Sequence, residues 1–287
     1  AQRVGATTTR ALRQVAALSS FLDGGVELEL NRLPSGSNPL AYQGMIPRGP
    51  FDFALDDPNI AKLPERERRV VFAYLNNLDV QSQPRPHARR LILDVYDALV
   101  EADLHEEEAE VQEAWLYNKL PKTMALLEPA MAERAELPDS ARNKKARSYT
   151  WLFEEVRPGL RAAWSGLDHV LAIGRVGKSI VPFRLSRIDE KTGVEVRPTE
   201  QLFILPSSSN AVAGVVCSAI FERITRRVCS TLKGDLRFSP SQVFPFFPFP
   251  WAPVVDKDRK RLNPLVPPKA LETTLGKAAK AVLDHRQ

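Results

Sequence analysis

The octapeptide Ala172–Ser179, AIGRVGKS, sets two glycines, a lysine and a serine at the spacing of a phosphate-binding loop in which alanine replaces the first glycine. Such a loop works because backbone amides and the N-terminus of the next helix together hold a polyphosphate, with the lysine on its outer charges. It therefore needs a strand before it and a helix directly after it. The residues that follow here, IVPFRLSRI, are β-branched and carry Pro182 three positions past the serine. That is strand chemistry. Arg175, Lys178, Arg184 and Arg187 accordingly read as one basic β-hairpin, and a nucleotide-binding enzyme built on Ala172–Ser179 stands as the alternative.

Other reactive residue types are scattered. His87, His105, His169 and His285 have no cysteine or serine partner at a catalytic spacing, and Cys217 and Cys229 suit neither a disulfide framework nor a zinc site, so they read as buried free thiols. The acidic run EADLHEEEAEVQEAW, Glu101 to Trp115, reads as a solvated helix face, because His105 lacks a second ligand of defined geometry. There is no Asn-Pro-Pro-aromatic motif and no glycine-rich loop after an opening strand that would hold S-adenosylmethionine. The chain is expected to be non-catalytic, with neither metal nor cofactor of its own.

Charge points to a partner. The 287 residues carry a net charge of +5, but residues 1–141 hold 15 Lys and Arg against 22 Asp and Glu, whereas residues 142–250 hold 17 against 9. A segregated basic surface attracts a polyanion through phosphate contacts that release counterions. An interaction subunit that docks a partner through its acidic first half is a further alternative. With 44% hydrophobic and 26% charged residues the composition is that of a globular protein. No apolar run is long enough for a membrane span and no signal peptide opens the chain, so the cytoplasm is the expected location.

The elements that would position these residues alternate in type. GVELEL (Gly25 to Leu30) reads as a strand, Pro34 to Pro50 as a loop, and RRLILDVYD (Arg89 to Asp97) as a buried strand. TMALLEPAMAERAEL reads as a helix with Pro129 inside it, and RPGLRAAWSGL as a short helix begun by Pro158. HVLAIGRV, SIVPFRLSRI, GVEVRP and EQLFILP read as strands. Asn210 to Ser230 reads as one helix with Asn210 as its N-cap. In SPSQVFPFFPFPW, Pro245, Pro248 and Pro250 stiffen a segment whose rings Phe244, Phe246, Phe247 and Phe249 would seat in apolar pockets and latch the domain shut, with stacking of exposed rings on bases as the alternative. The fold class is α+β: a mixed, β-rich domain with flanking helices.

The order of five segments resembles a known family. SSFLDGGVELELNRL, AYQGMIPRGPFDFAL, FAYLNNLDVQSQPRPHARRLILDVYD, RPGLRAAWSGLDHVLAIGRVGKS and STLKGDLRFSPSQVFPFFPFP, over roughly residues 18 to 250, resemble the target-recognition region of MmeI-like DNA adenine-N6 methyltransferases. That group includes restriction-modification enzymes and phage-defence methyltransferases of the DISARM and BREX type. The resemblance implies a piece of a longer protein, with residues 1–35 ending a catalytic domain or linker, 36–250 recognising the target, and 251–287 leading into a helical region. It implies double-stranded DNA and the methyltransferase catalytic domain of the same protein as partners, and S-adenosylmethionine as cofactor of the parent. On that footing Arg175, Lys178, Ser179, Arg184 and Arg187 are candidates for base or nearby phosphate contact, and Arg142, Lys144, Lys145, Arg147, Lys233 and Arg237 for the phosphate backbone.

Overall fold

The structure is a computed structural model that describes residues 40–81, 86–141, 143–245, 247, 249–250, 254–256, 261–263 and 265–286. Thirteen strands are described: β1 (Tyr42–Gln43), β2 (Asp52–Ala54), β3 (Val71–Leu75), β4 (Arg90–Leu93), β5 (His169–Gly174), β6 (Val176–Gly177), β7 (Phe183–Ser186), β8 (Val196–Pro198), β9 (Leu202–Leu205), β10 (Thr231–Leu232), β11 (Asp235–Arg237), β12 (Val254–Asp256) and β13 (Arg261–Asn263). They form sheets in the orders β1-β9-β5-β7, β2-β4-β3-β8 and β10-β11-β6, with β12-β13 as a separate ribbon. The pairings are antiparallel except for β3 with β8. With the surrounding helices this is the expected α+β architecture.

Successive side chains of a strand point to opposite faces, and this makes the sheet of β1, β9, β5 and β7 a wall between two cores. Val170 and Ala172 of β5 and Leu202 and Ile204 of β9 face the first core. Leu171, Ile173, Phe203 and Leu205 face the second. All five residues of β3, VFAYL, are buried, as an apolar strand covered on both faces should be. The helices Ala109–Lys119, Pro121–Ala135 and Pro158–Trp164 contribute to the first core, and Asn210–Val216 and Ala219–Val228 to the second. The C-terminal helix Lys269–Arg286 packs on Asn210–Val216. A Cβ at Gly214 would lie 2.9 Å from that of Ala279, so glycine permits the close crossing.

Local expectations hold for β5, β7, β8, β9 and the helix after Arg157, whereas the strand expected over Arg89 to Asp97 is only β4, because Asp94 accepts from the Tyr96 amide at 3.2 Å and the chain turns into the helix Tyr96–Glu101; four further corrections follow. Pro34 to Pro50 is not wholly loop, because Tyr42 and Gln43 pair with Ile204 and Phe203. The acidic segment opens on the last residue of the helix Tyr96–Glu101 and is helical again only from Ala109. Asn210 to Ser230 is two helices, because Ser218 caps a second one by accepting from the Phe221 amide at 3.2 Å. The cap of the first is Ser209, whose hydroxyl accepts from Val212 N at 3.1 Å, while Asn210 lies inside. Glu272 of the C-terminal helix completes this end by accepting from Asn210 N at 2.9 Å and from the Ser209 hydroxyl. The strand expected at Gly25 to Leu30 lies outside the described residues.

The Phe-Pro segment seats as a latch. Phe244 and Phe247 are 4% and 2% exposed, and their ring centroids lie 6.0 and 5.0 Å from that of Phe221. Phe249 stacks edge-on to Phe247 at 5.1 Å, and Phe246 lies outside the described residues. Cys229 is buried and Cys217 half-buried, and neither is joined in a disulfide.

Candidate nucleic-acid interface

At Gly174 the chain leaves β5, forms β6, and returns through Ser179 and Ile180 to β7. Ser179 is followed by a strand that pairs antiparallel with β5, Ala172 opposite Phe183 and His169 opposite Ser186. With no helix N-terminus after the loop, the phosphate-loop alternative is overturned. The two glycines have another cause. A Cβ at Gly174 would sit 2.2 Å from Asn77 Oδ1, and one at Gly177 would sit 3.1 Å from Gln81 Nε2. These amides approach so closely because both donate to the Val176 carbonyl, at 3.0 and 3.2 Å. The glycines make room for the Asn77 and Gln81 side-chain amides.

The excursion joins two basic segments that are distant in sequence. β6 pairs with β11, Val176 opposite Arg237 and Gly177 opposite Leu236. The Arg175 amide donates to Gln201 O at 2.7 Å, and its carbonyl accepts from Phe238 N at 2.8 Å. β11 pairs in turn with β10 through a two-residue tip, Lys233 and Gly234, with φ of 51° and 90°. Positive φ at both tip residues is the requirement of a type I′ hairpin turn. Arg175, Lys178, Lys233 and Arg237 thus belong to one small sheet and its margins. Among the described residues none of the four has a side-chain ion-pair partner.

Sequence reasoning placed the helix Ala219–Val228 within Asn210 to Ser230 but missed that it buttresses this sheet. Arg226 of Ala219–Val228 donates to the Lys178 carbonyl at 2.6 Å and the Ser179 hydroxyl at 3.3 Å, while Glu222 holds it at 2.7 Å. Arg223 is exposed one turn earlier, and Arg227 is half-buried. The signal was present in ERITRR, where Glu222 and Arg226 stand at i and i+4.

The remaining candidates are placed differently. Arg184 faces the second core, and its guanidinium donates to Asn210 Oδ1 at 2.5 Å. Burial, assisted by Arg184, holds the neighbouring His169 below its usual value. Arg187 pairs with Glu195 at 3.4 Å. Lys144, Lys145 and Arg147 lie on the short helix Lys144–Ser148, where Arg147 pairs with Asp139 at 2.8 Å. Lys144 and Lys145 line a cleft of about 660 Å³ with Tyr96, His105, Tyr149 and Arg157, and none of the cleft's lining belongs to the β6-β11-β10 surface. Arg142 lies outside the described residues.

A buried ionic network sits against the first core. Asp94, 2% exposed, accepts from Arg161 at 2.5 Å and Arg197 Nε at 3.1 Å. Arg197 also reaches Asp97 at 2.5 Å and Glu195 at 2.8 Å, and stacks 3.6 Å from the Phe72 ring centroid. Burial alone would raise the Asp94 carboxyl, but Arg161 and Arg197 outweigh it and hold it below the usual carboxylate range. A buried cation is costly unless paired and stacked, so this cluster rigidly ties β4, β8 and the helix Pro158–Trp164.

Among the described residues no three His, Cys, Asp or Glu side chains gather as a metal site, and no helix is long and apolar enough to cross a membrane. The chain is similar over 95% of its length to MmeI, a type IIL restriction-modification enzyme whose structure was solved in complex with DNA, with a TM-score of 0.63 and 17% identity. The match spans 31% of the MmeI chain, and likeness at this identity is one of fold. No protein-family model and no curated protein matches the chain.

Proposed function

We propose that this chain recognises double-stranded DNA sequence-specifically, as the specificity domain of an adenine-N6 DNA methyltransferase in a restriction-modification or phage-defence system. The observation that carries the reading is the convergence of Arg175, Lys178, Lys233 and Arg237 on the β6-β11-β10 sheet, where all four side chains lack ion-pair partners among the described residues. Cations without protein partners on a rigid platform suit phosphates and the acceptor-rich base edges of a groove. The likeness in fold to an enzyme solved with DNA, and the order of the five segments, support the same partner.

In this reading Arg175, Lys178 and Ser179 stand at or near the bases with Lys233 and Arg237 on the adjoining backbone, Arg187, at the other end of β7, meets base edges further along the duplex, and Lys144, Lys145, Arg147 and Arg142 contact phosphates. Arg184, already bonded to Asn210, supports the hairpin and contributes long-range charge. The parent works in the cytoplasm, and the target adenine is flipped into a separate catalytic domain. S-adenosylmethionine would supply the methyl group there. At the loop that carries Gly174 and Gly177, the Asn77 and Gln81 side chains fill the space over both glycines, so that loop offers no pocket for the cofactor.

The experiment is duplex binding at several salt concentrations, with ATP as a control. Affinity falling steeply and linearly in log salt supports the reading. Salt-insensitive binding or none contradicts it, and protection of the fold by ATP alone would return the nucleotide alternative.

A further inference from the structure

Arg187 is held by a chain of alternating charges that begins in the core. Glu195 Oε2 faces the Arg187 guanidinium at 3.4 Å, while Oε1 accepts from Arg197 at 2.8 Å. Arg197 is 3% exposed and fixed by Asp94, Asp97 and the face of Phe72. Burial pushes the Glu195 carboxyl up, but Arg197 and then Arg187 prevail and hold it below its usual value, so it stays an anion. The backbone is equally constrained. Val196 N donates to the Arg187 carbonyl at 2.9 Å, Arg187 N donates to Asp168 O at 2.7 Å, and Ile188 bridges Glu195. At the hairpin end, Asp189 is 4% exposed and accepts from Thr192 and from Ala88 N at 2.9 Å. Arg187 is therefore a half-exposed guanidinium on a fixed backbone, with one edge occupied by a carboxylate that cannot itself move.

We infer that Glu195, locked by Arg197, is a positioning residue that sets the orientation of the Arg187 fork for selective contact with DNA. The inference rests on the DNA-recognition reading and goes beyond it by assigning discrimination to a residue that never touches the nucleic acid. An arginine reads a guanine edge through two parallel hydrogen bonds and loses that selectivity when its plane is free to turn. An anion beside it also lowers its attraction for any phosphate that passes, which suppresses non-specific binding more than specific binding.

The test uses the 287-residue protein and a duplex that it selects from a randomised pool, compared with an unrelated duplex of the same length. Glu195→Gln is expected to cut the ratio of specific to non-specific affinity about tenfold, mainly by tightening the unrelated duplex. In an Arg187→Ala background the same change should leave the ratio as it was, because a residue that acts only through Arg187 has nothing left to position. A structural role would persist in that background. Arg187→Lys leaves the core network intact and keeps the charge, and it should lose discrimination with the salt slope unchanged. A ratio unaffected by Glu195→Gln while Arg187→Ala lowers it would overturn the inference. A ratio unaffected by Arg187→Ala, with salt-dependent binding retained, also overturns it but leaves DNA recognition standing. Loss of all salt-dependent binding in the unmodified protein refutes the recognition reading itself.

Discussion

Arg226 donates to the backbone carbonyl of Lys178 at 2.6 Å, joining a helix of the second core to the excursion between β5 and β7. Its guanidinium thus fixes the platform from which the Lys178 ammonium projects, and is itself fixed by Glu222. Arg226→Ala should weaken duplex binding roughly three- to tenfold. It should scarcely change the melting temperature, since bonds of exposed side chains contribute about 0–1 kcal/mol. Calorimetry and a binding titration on one sample separate the effects; a large drop in stability with normal binding would show that the contact is structural only.

Gly174 and Asn77 make the complementary test of the loop. With 2.2 Å between a new Cβ and Asn77 Oδ1, Gly174→Ala must push the Asn77 side chain aside and break its bond to the Val176 carbonyl. Overpacking of this kind costs about 1–3 kcal/mol, measurable by urea unfolding. A neutral outcome would mean that the glycine is not there for close approach.

The latch can be weighed in the same way. Phe247 is 2% exposed against Phe221, and Phe247→Ala should cost about 3–5 kcal/mol. A melting temperature unchanged within error would put the ring outside the core.

Acid should act through Asp94. Its folded carboxyl titrates below the unfolded value of about 3.9, so its contribution is fully present above that pH and is lost as pH falls through the lower folded value. Asp94→Asn should be less stable than the parent at neutral pH, and the difference should narrow below about pH 4 in acid-unfolding curves. A constant difference across that range would show that the Asp94 charge is not what matters.

Legibility in the sequence followed the range of the interactions. β5, β9 and the helix Pro158–Trp164 were readable because alternation and a proline at N1 are local signals. The break at Ser218 was hidden inside NAVAGVVCSAIF, an apolar run with no glycine or proline at the boundary. The second partner of the Ser209 cap, Glu272, arrives from a distant helix that no local window contains. β1 exists only because β9 offers it an edge. The basic residues of the site were nameable from composition, but their division was not. The pairing of β6 with β11 gathers Arg175, Lys178, Lys233 and Arg237, whereas the ion pairs of Arg147 and Arg187 and the bond of Arg184 to Asn210 depend on tertiary geometry.

The central claim, that the β6-β11-β10 surface holds the duplex, is tested most directly by the slope of log affinity against log salt. The measurement compares the protein with a variant in which Arg175, Lys178, Lys233 and Arg237 are all alanine, after thermal melts confirm that both are folded. Each phosphate contact on duplex DNA contributes about 0.9 to that slope, so the variant should lose roughly 2–4 from it and most of its affinity at low salt. An unchanged slope would contradict the account and move the DNA to another surface, with the Lys144 and Lys145 cleft the next to be mutated.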